Sequence, residues 1–494
     1  MELVNDFGDP DALILSDNHI VLKLETALPQ SVKVPDGVTV GGDDRLLLVT
    51  NKESLISASK SALVRRAKIS KALFCACESF SSSSPYRRAA RKLLRYVQEV
   101  CIVHNRDTVH TLLDIFPCAR TIALPHDMAL HMYSLDPSAM PIERCQLRQL
   151  VGSTANRDVP DLIMSWNVTM ALIRSCPDVC RIDSQFVVDC FMRPHPSLTP
   201  ADLERAKNFT HILIVDADVQ LDTEEDHSQG AADVALAAQT FPSVDSLQAL
   251  VESQDWFTKI SAFRGLRSLA VTFTRDLDDR DIGHQLEELL AKLPALEKLH
   301  LETCGGLRLA LISTLCVGLK SLSLTHCSEP LTDVPEIPHD AFPNLECVEL
   351  RMCISGSSLF ALLNATKNKL RIARFLLPML CTMFLDYCIS IGRTFPFLKL
   401  ERLTLDTQEK LSEMQIQLED LRDVFKALPA LQHVETDSFE LRLFFENDCI
   451  PRGRLSLSWV GCVYCAAHGR DQRKEIDDFT EAWRVLKDLT GSAG

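Results

Sequence analysis

The chain has 494 residues, of which 46% are hydrophobic and 24% charged, a mixture that can bury a core and that excludes a disordered or low-complexity protein. Its 52 Lys and Arg stand against 67 Asp and Glu, a net charge of −15. That balance argues against a general nucleic-acid binder and against an electrostatic hold on anionic lipid, and it favours basic protein surfaces as partners.

In chain order, the opening MELVNDFGDPDALIL has no basic segment followed by an apolar core, so no secretory signal is expected. The 18 cysteines then read as reduced thiols of a cytoplasmic or nuclear protein, most of them acting as small buried hydrophobes. Residues 27–40, ALPQSVKVPDGVTV, are rich in Pro and Val and strand-like. Residues 46–70 and 86–102 read as helices with an Arg- and Lys-rich polar face, separated by the loop SFSSSSP. Residues 1–104 are therefore expected to form a mostly helical N-terminal region.

A different pattern follows. LEKLHLETC (296–304), LKSLSLTHC (319–327) and LECVELRMC (345–353) share one apolar phase and end on cysteine. Leu299 and Leu301, Leu322 and Leu324, and Val348 and Leu350 are spaced as inward positions of short strands. The phase recurs at Leu266, Leu370, Leu400 and Leu431. A proline two residues before the first apolar position, as in LPALEKLHL and FPNLECVEL, extends the frame back to Ala119, Val179 and Val244, with Leu147 and Phe209 filling the gaps. About a dozen irregular units therefore occupy residues 105–445. Between the strands, GHQLEELLAKLPAL, SSLFALLNATKNKL and LEDLRDVFKALPAL carry leucines at helical spacing, and proline ends each helix and sets up an extended approach to the next strand. FLLPMLCTMFL (375–385), the longest apolar run, is too short to cross a bilayer and reads as buried core.

The motif LxxLxLxxC at this period resembles the leucine-rich repeat, in its cysteine-containing variety. The resemblance implies an α/β solenoid or horseshoe, with a parallel sheet on the concave face and helices on the convex face. It also implies that Cys304, Cys327 and Cys353 fill a tight buried turn after each strand. Residues 46–102 are similar to the N-terminal part of fungal F-box-like proteins, with an LLLVTNK segment, a second helix and a YVQEVCI strand leading into the repeats, though the opening LPxExLxxIF helix is missing. That likeness implies an SCF adaptor as a second partner. Residues 446–494 are expected to cap the array with a helix, EIDDFTEAWRVLKDL, whose Ile476, Phe479, Trp483, Leu486 and Leu489 share one face.

Two clusters have the residue types of a metal site. CVYCAAH offers Cys462, Cys465 and His468, with Cys449 upstream, but structural zinc commonly uses two close pairs and only one is present; buried thiols and a surface histidine are the other reading. IVDADVQLDTEEDH places Asp216 and Asp218 after an apolar strand, as a metal-dependent transferase would; a solvated acidic loop is the alternative, and Leu221 at the glycine position excludes an EF-hand. No nucleophile elbow, phosphate loop or dinucleotide fingerprint occurs, so no cofactor and no enzymatic reaction are expected. Strand alternation puts Lys298, His300, Glu302, Ser321, Ser323, Thr325, Glu349, Arg351, Arg402, Thr404 and Asp406 on the concave face. The expected function is a non-enzymatic protein-binding scaffold, with substrate recognition for an SCF-type ubiquitin ligase as the alternative.

Overall fold

The computed structural model of the chain describes residues 20–24, 34, 38–41, 46–49, 52–60, 69–76, 85–105, 109–125, 146–153, 166–192, 196–215, 234–251, 258–273, 282–330, 336–391, 397–407, 421, 424–425, 427–438, 441 and 456–459. These fall into two compact units, 1–319 with 325–335, and 320–324 with 336–494.

In the first unit, β1 (Ile20–Leu24), β2 (Val38–Gly41), β3 (Leu46–Val49) and α1 (Lys52–Lys60) precede β4 (Ile69–Ala76), α2 (Pro85–Leu94) and β5 (Glu99–Asn105). Then come α3 (Val109–Ile115), β6 (Thr121–Pro125), β7 (Gln149–Ser153), α4 (Trp166–Ser175), β8 (Arg181–Ile182), α5 (Gln185–Met192) and α6 (Pro200–Ala206). The unit continues with β9 (His211–Val215), α7 (Val234–Thr240), β10 (Ser246–Val251), β11 (Ser268–Phe273), α8 (Gly283–Ala291), β12 (Lys298–Glu302) and α9 (Leu309–Leu315). β13 (Ser321–Ser328) is divided between the units. The second unit holds β14 (Cys347–Cys353), α10 (Gly356–Thr366), β15 (Ile372–Phe375), α11 (Pro378–Ile391), β16 (Arg402–Leu405), β17 (His433–Thr436) and β18 (Ser456–Trp459).

Each unit is an α/β leucine-rich-repeat solenoid. From β4 to β12 successive strands pair in parallel, with one register shift against β5 between Phe74 and Cys75 of β4, and β14 to β18 pair in parallel too. The motif leucines form columns. Ile212, Leu247, Leu269 and Leu299 stand side by side in the first unit, and Val348, Ala373, Leu403 and Val434 in the second. All are at most 1% exposed, and full burial of one such leucine or valine contributes roughly 1.5–3 kcal/mol.

The backbone explains why the frame repeats. At each strand start, two successive amides donate to one carbonyl of the preceding repeat: Asp245 and Ser246 to Thr210 O, Arg267 and Ser268 to Asp245 O, Glu297 and Lys298 to Arg267 O. The second unit repeats this with Glu401 and Arg402 on Arg371 O, and Gln432 and His433 on Glu401 O. Before each strand, the amide of the first apolar residue turns back onto a carbonyl three residues earlier, at Phe116, Cys176, Phe241, Leu293 and Leu428. Those five are buried and form a second core column beside the prolines that mark the frame.

The helices of neighbouring repeats pack on one another, α4 on α5, α8 on α9, α10 on α11. The apolar run at 375–385 lies partly in α11, where Leu380, Cys381, Phe384 and Leu385 are buried. Phe384 stacks on Phe375 at 4.7 Å between ring centres and meets Phe397 at 5.9 Å. α6 starts with a capping box, Thr199 with Asp202, and Arg174 of α4 grips the Asp202 carboxylate at 2.8 and 3.1 Å.

The structure departs from the expected elements in three places. Residues 46–70 are not helical throughout: LLLV forms β3, Lys52–Lys60 is the helix among the described residues, and β4 begins at Ile69. The continuous apolar run LLLV pairs antiparallel with β1 and β2, so a strand partner overrides the helical pattern around it. Likewise 86–102 divides into α2 and β5, where Val100 and Ile102 are buried two residues apart in the strand phase. Third, Cys304 and Cys327 are buried but Cys353 is exposed. The first two follow residues in left-handed conformation, Thr303 (φ 57°) and His326 (φ 51°), and Cys327 Sγ lies 3.4 Å from Leu301 O. Of the stretch 27–40, read as strand-like, β2 takes in Val38, Thr39 and Val40, Val34 has no regular structure, and the rest lies outside the described residues. The cap helix at 475–489, Cys449, Cys462, Cys465 and His468, and Asp216 and Asp218 lie outside the described residues.

Candidate functional site

The strand positions facing away from the helices form rows of polar side chains. In the first unit one row runs Lys71, Glu99, Thr121, Gln149, Arg181, His211, Ser246, Ser268, Lys298, each paired in register with the next. Lys71 Nζ meets Glu99 at 2.8 Å, and Thr121 Oγ1 donates to Gln149 Oε1 at 3.4 Å.

Farther along the row is a buried polar network. Arg181 donates to both oxygens of Asp183, at 2.8 and 3.2 Å. His211 Nδ1 lies 2.8 Å from Ser246 Oγ, and His211 Nε2 lies 3.2 Å from Asp183 Oδ1, close but off the hydrogen-bonding direction. Burial pushes the His211 pKa down, and Arg181 adds to this; Asp183 opposes it without prevailing. Burial raises the Asp183 pKa, but Arg181 and His211 outweigh it and hold the carboxyl below its usual range. A neutral His211 carries one hydrogen, and its tautomer sets whether Nδ1 accepts from Ser246 or donates to it.

Serine, histidine and aspartate in this order resemble a hydrolase triad, which is recognised by geometry rather than sequence order. The surroundings do not complete one. The Ser246 amide, which could help hold an oxyanion, donates to Thr210 O at 3.0 Å. Asp183 is already gripped by Arg181, and His211 is 4% exposed. The network ties β8, β9 and β10 together.

In the second unit the polar row lies two residues farther along each strand and carries Glu349, Arg374, Thr404 and Glu435 in register. Arg374 Nη1 donates to Glu349 Oε2 at 3.0 Å, Ser323 Oγ to Glu349 Oε1 at 3.3 Å, and Thr404 Oγ1 to Glu435 Oε2 at 2.9 Å. Burial lowers the Arg374 pKa, but Glu349, Cys347 and Glu435 outweigh it and the pKa is raised. His433 is pushed down by burial, with Arg402 and Arg374 adding to the shift and Glu435 opposing.

The residues expected on the concave face divide between the units. Lys298, His300, Glu302 and Thr325 are in the first, and Ser321, Ser323, Glu349, Arg351, Arg402, Thr404 and Asp406 in the second. Lys298 and Arg402 are exposed, and most of the others half-buried. Glu302 is 3% exposed and takes a hydrogen bond from Thr272 at 3.1 Å; Thr404 is 8% exposed and serves Glu435. These two hold neighbouring side chains in place. Arg351 keeps an enclosed Nε without a hydrogen-bond partner. The sequence reading did not find Arg181, Asp183, His211, Ser246, Arg374 or Glu435. Numbering each repeat from its first apolar residue would have found them, since Arg181, His211 and Ser246 then share one offset.

No family model and no curated protein matches the chain. Among solved structures it is similar to an internalin of Listeria monocytogenes, at 11% identity over 83% of this chain and 90% of that one, with a TM-score of 0.28. It is similar to a chain of the Rad7 and Elc1 complex in yeast, at 13% identity over 82% and 88%, with a TM-score of 0.41. A third is the leucine-rich-repeat-containing protein LegL7 of Legionella pneumophila, at 11% identity over 65% and 84%, with a TM-score of 0.27.

Proposed function

We propose that the chain is a non-enzymatic protein-binding scaffold whose partner lies across the outward-facing strand positions. One observation carries this reading. In the second unit these positions hold an ordered polar row, Glu349 with Arg374 and Thr404 with Glu435, and the same strand as Glu349 carries the half-buried Arg351. Parallel sheets are usually covered on both faces, and an exposed polar face suits a protein surface. Its side chains are already held by one another, which spares the roughly 0.5–1.5 kcal/mol per side chain otherwise spent on ordering at an interface. Arg351 and Arg402 are the expected contacts of the second unit; those of the first unit, taken by itself, are Lys298 and His300. Thr404 acts as a support, as Glu302 does in the first unit.

The finer reading is substrate recognition for an SCF-type ubiquitin ligase inside the cell, in the cytoplasm or nucleus. What supports it is the sequence likeness of residues 46–102 and the order of α2 followed by β5. The test is affinity capture from native extract with wild-type protein and Arg351→Ala, read by mass spectrometry. A protein captured by wild type and lost about tenfold or more with Arg351→Ala supports the scaffold reading, and an unchanged set of captured proteins refutes it. An adaptor and a cullin retained by both proteins support the ligase role, and their absence removes it.

A further inference from the structure

We propose that the outer side of α2, with the adjoining strand starts, binds an acidic segment of a second protein, separately from the face described above. Arg88, Arg91, Lys92 and Arg95 recur at i, i+3, i+4 and i+7, which places them along one stripe. All four are exposed. The helix has no acidic residue; Asp114, outside it, is shared by Arg87 at 2.7 Å and Arg91 at 3.2 Å. Helix-dipole attraction accounts for cations in the last turn but disfavours them in the first. Arg87 and Arg88 sit in that first turn, and only Arg87 has a carboxylate partner among the described residues.

The positive surface continues onto the sheet edge. Arg120 N donates to Gln98 O and Arg148 N to Arg120 O, so Arg120 and Arg148 occupy neighbouring strand starts, and both are exposed. Farther on, the same position holds Cys180, Thr210 and Asp245, which ends the run. Between helix and edge stands Tyr96, 59% exposed, with the Arg95 guanidinium 4.4 Å from its ring centre. Cations grouped around an exposed aromatic ring fit carboxylates interspersed with apolar side chains.

Charge and size point to a peptide rather than a polyanion. The chain carries −15 overall, so a long nucleic acid or an anionic bilayer meets repulsion beyond the patch. The stripe from Arg88 to Arg95 is about 10 Å long, the reach of about three residues of extended peptide. It is comparable with the screening length of about 8 Å at physiological salt.

The test uses the full chain and a fluorescein-labelled oligoglutamate peptide, read by fluorescence anisotropy at low and physiological salt. Two variants are compared with wild type, Arg88→Gln with Lys92→Gln and Arg95→Gln, and Arg120→Gln with Arg148→Gln. Glutamine keeps helix propensity and a polar stem. The first variant is expected to weaken binding at least tenfold and the second several-fold, with circular dichroism unchanged and wild-type affinity falling as salt rises. Equal affinity of all three proteins, or no binding by wild type at low salt, overturns the proposal. So does binding of a single-stranded oligonucleotide or of phosphatidylserine vesicles as tightly as the peptide.

Discussion

Replacing Asp183 by asparagine keeps the side-chain volume and removes the charge that holds Arg181 and faces His211. The Asp183 side chain is 2% exposed and that of Arg181 is 32% exposed. Removing one partner of a buried ion pair costs about 3–5 kcal/mol. Water reaches part of the Arg181 guanidinium, which lowers the expectation to about 2–3 kcal/mol, a roughly 30- to 160-fold change in local opening. The pH response has a definite sign. The His211 pKa in the fold lies below its unfolded value of about 6.5, so the unfolded chain binds more protons in the interval between the two. Stability from this residue is complete above about pH 6.5 and is lost as pH falls toward the folded pKa, by at most about 1.4 kcal/mol per pH unit. Asp183 pulls that pKa upward; without its charge the folded value drops further and the loss continues to lower pH than in wild type. Amide hydrogen exchange in peptides covering 209–215 and 244–251, at about pH 7.5 and about pH 5.5 and corrected for intrinsic rates, measures both effects. A change in opening of less than about threefold at the higher pH, or a variant less sensitive to acid than wild type, would refute the reasoning.

Two more predictions test the core and the thiols. Leu403→Ala removes a side chain that is fully buried between Ala373 and Val434, and should cost about 2–5 kcal/mol in urea unfolding; a loss under about 1 kcal/mol would show that the column is not core. Burial pushes the Cys101 and Cys316 thiols up to about 12, and Cys353 is exposed. Iodoacetamide at about pH 8 should therefore modify Cys353 before either of them, by peptide mass spectrometry, and equal rates would count against the assigned burial.

The repeats were legible because their signal is local. Leu299 with Leu301 and Val348 with Leu350 alternate at the period of a strand, and each strand carries its own copy of the evidence. The proline frame was legible for a related reason: the residue before proline, as at Phe116, Cys176 and Phe241, is a core residue whose carbonyl receives the turn. The strand LLLV was not legible, since the reason it is extended lies in β1 and β2, not in its neighbours along the chain. Cys353 matched the motif, yet it is exposed. The buried network was hidden by irregular spacing. Asp183 and Ser246 are far apart in sequence, and unequal repeats bring them to the two sides of His211.

The open faces also indicate where binding energy can come from. Most of their charged groups are already satisfied: Glu349 by Arg374 and Ser323, Glu435 by Thr404, Glu302 by Thr272, Asp183 by Arg181. A partner that displaced one of these bonds would have to replace it, and an unsatisfied buried group costs about 1–3 kcal/mol. Such residues discriminate against poor fits more than they attract good ones. Net attraction has to come from exposed cations that lack a partner among the described residues: Lys298 in the first unit and Arg402 in the second. Each unit therefore favours acidic or carbonyl-rich partner surfaces, although the chain as a whole is acidic.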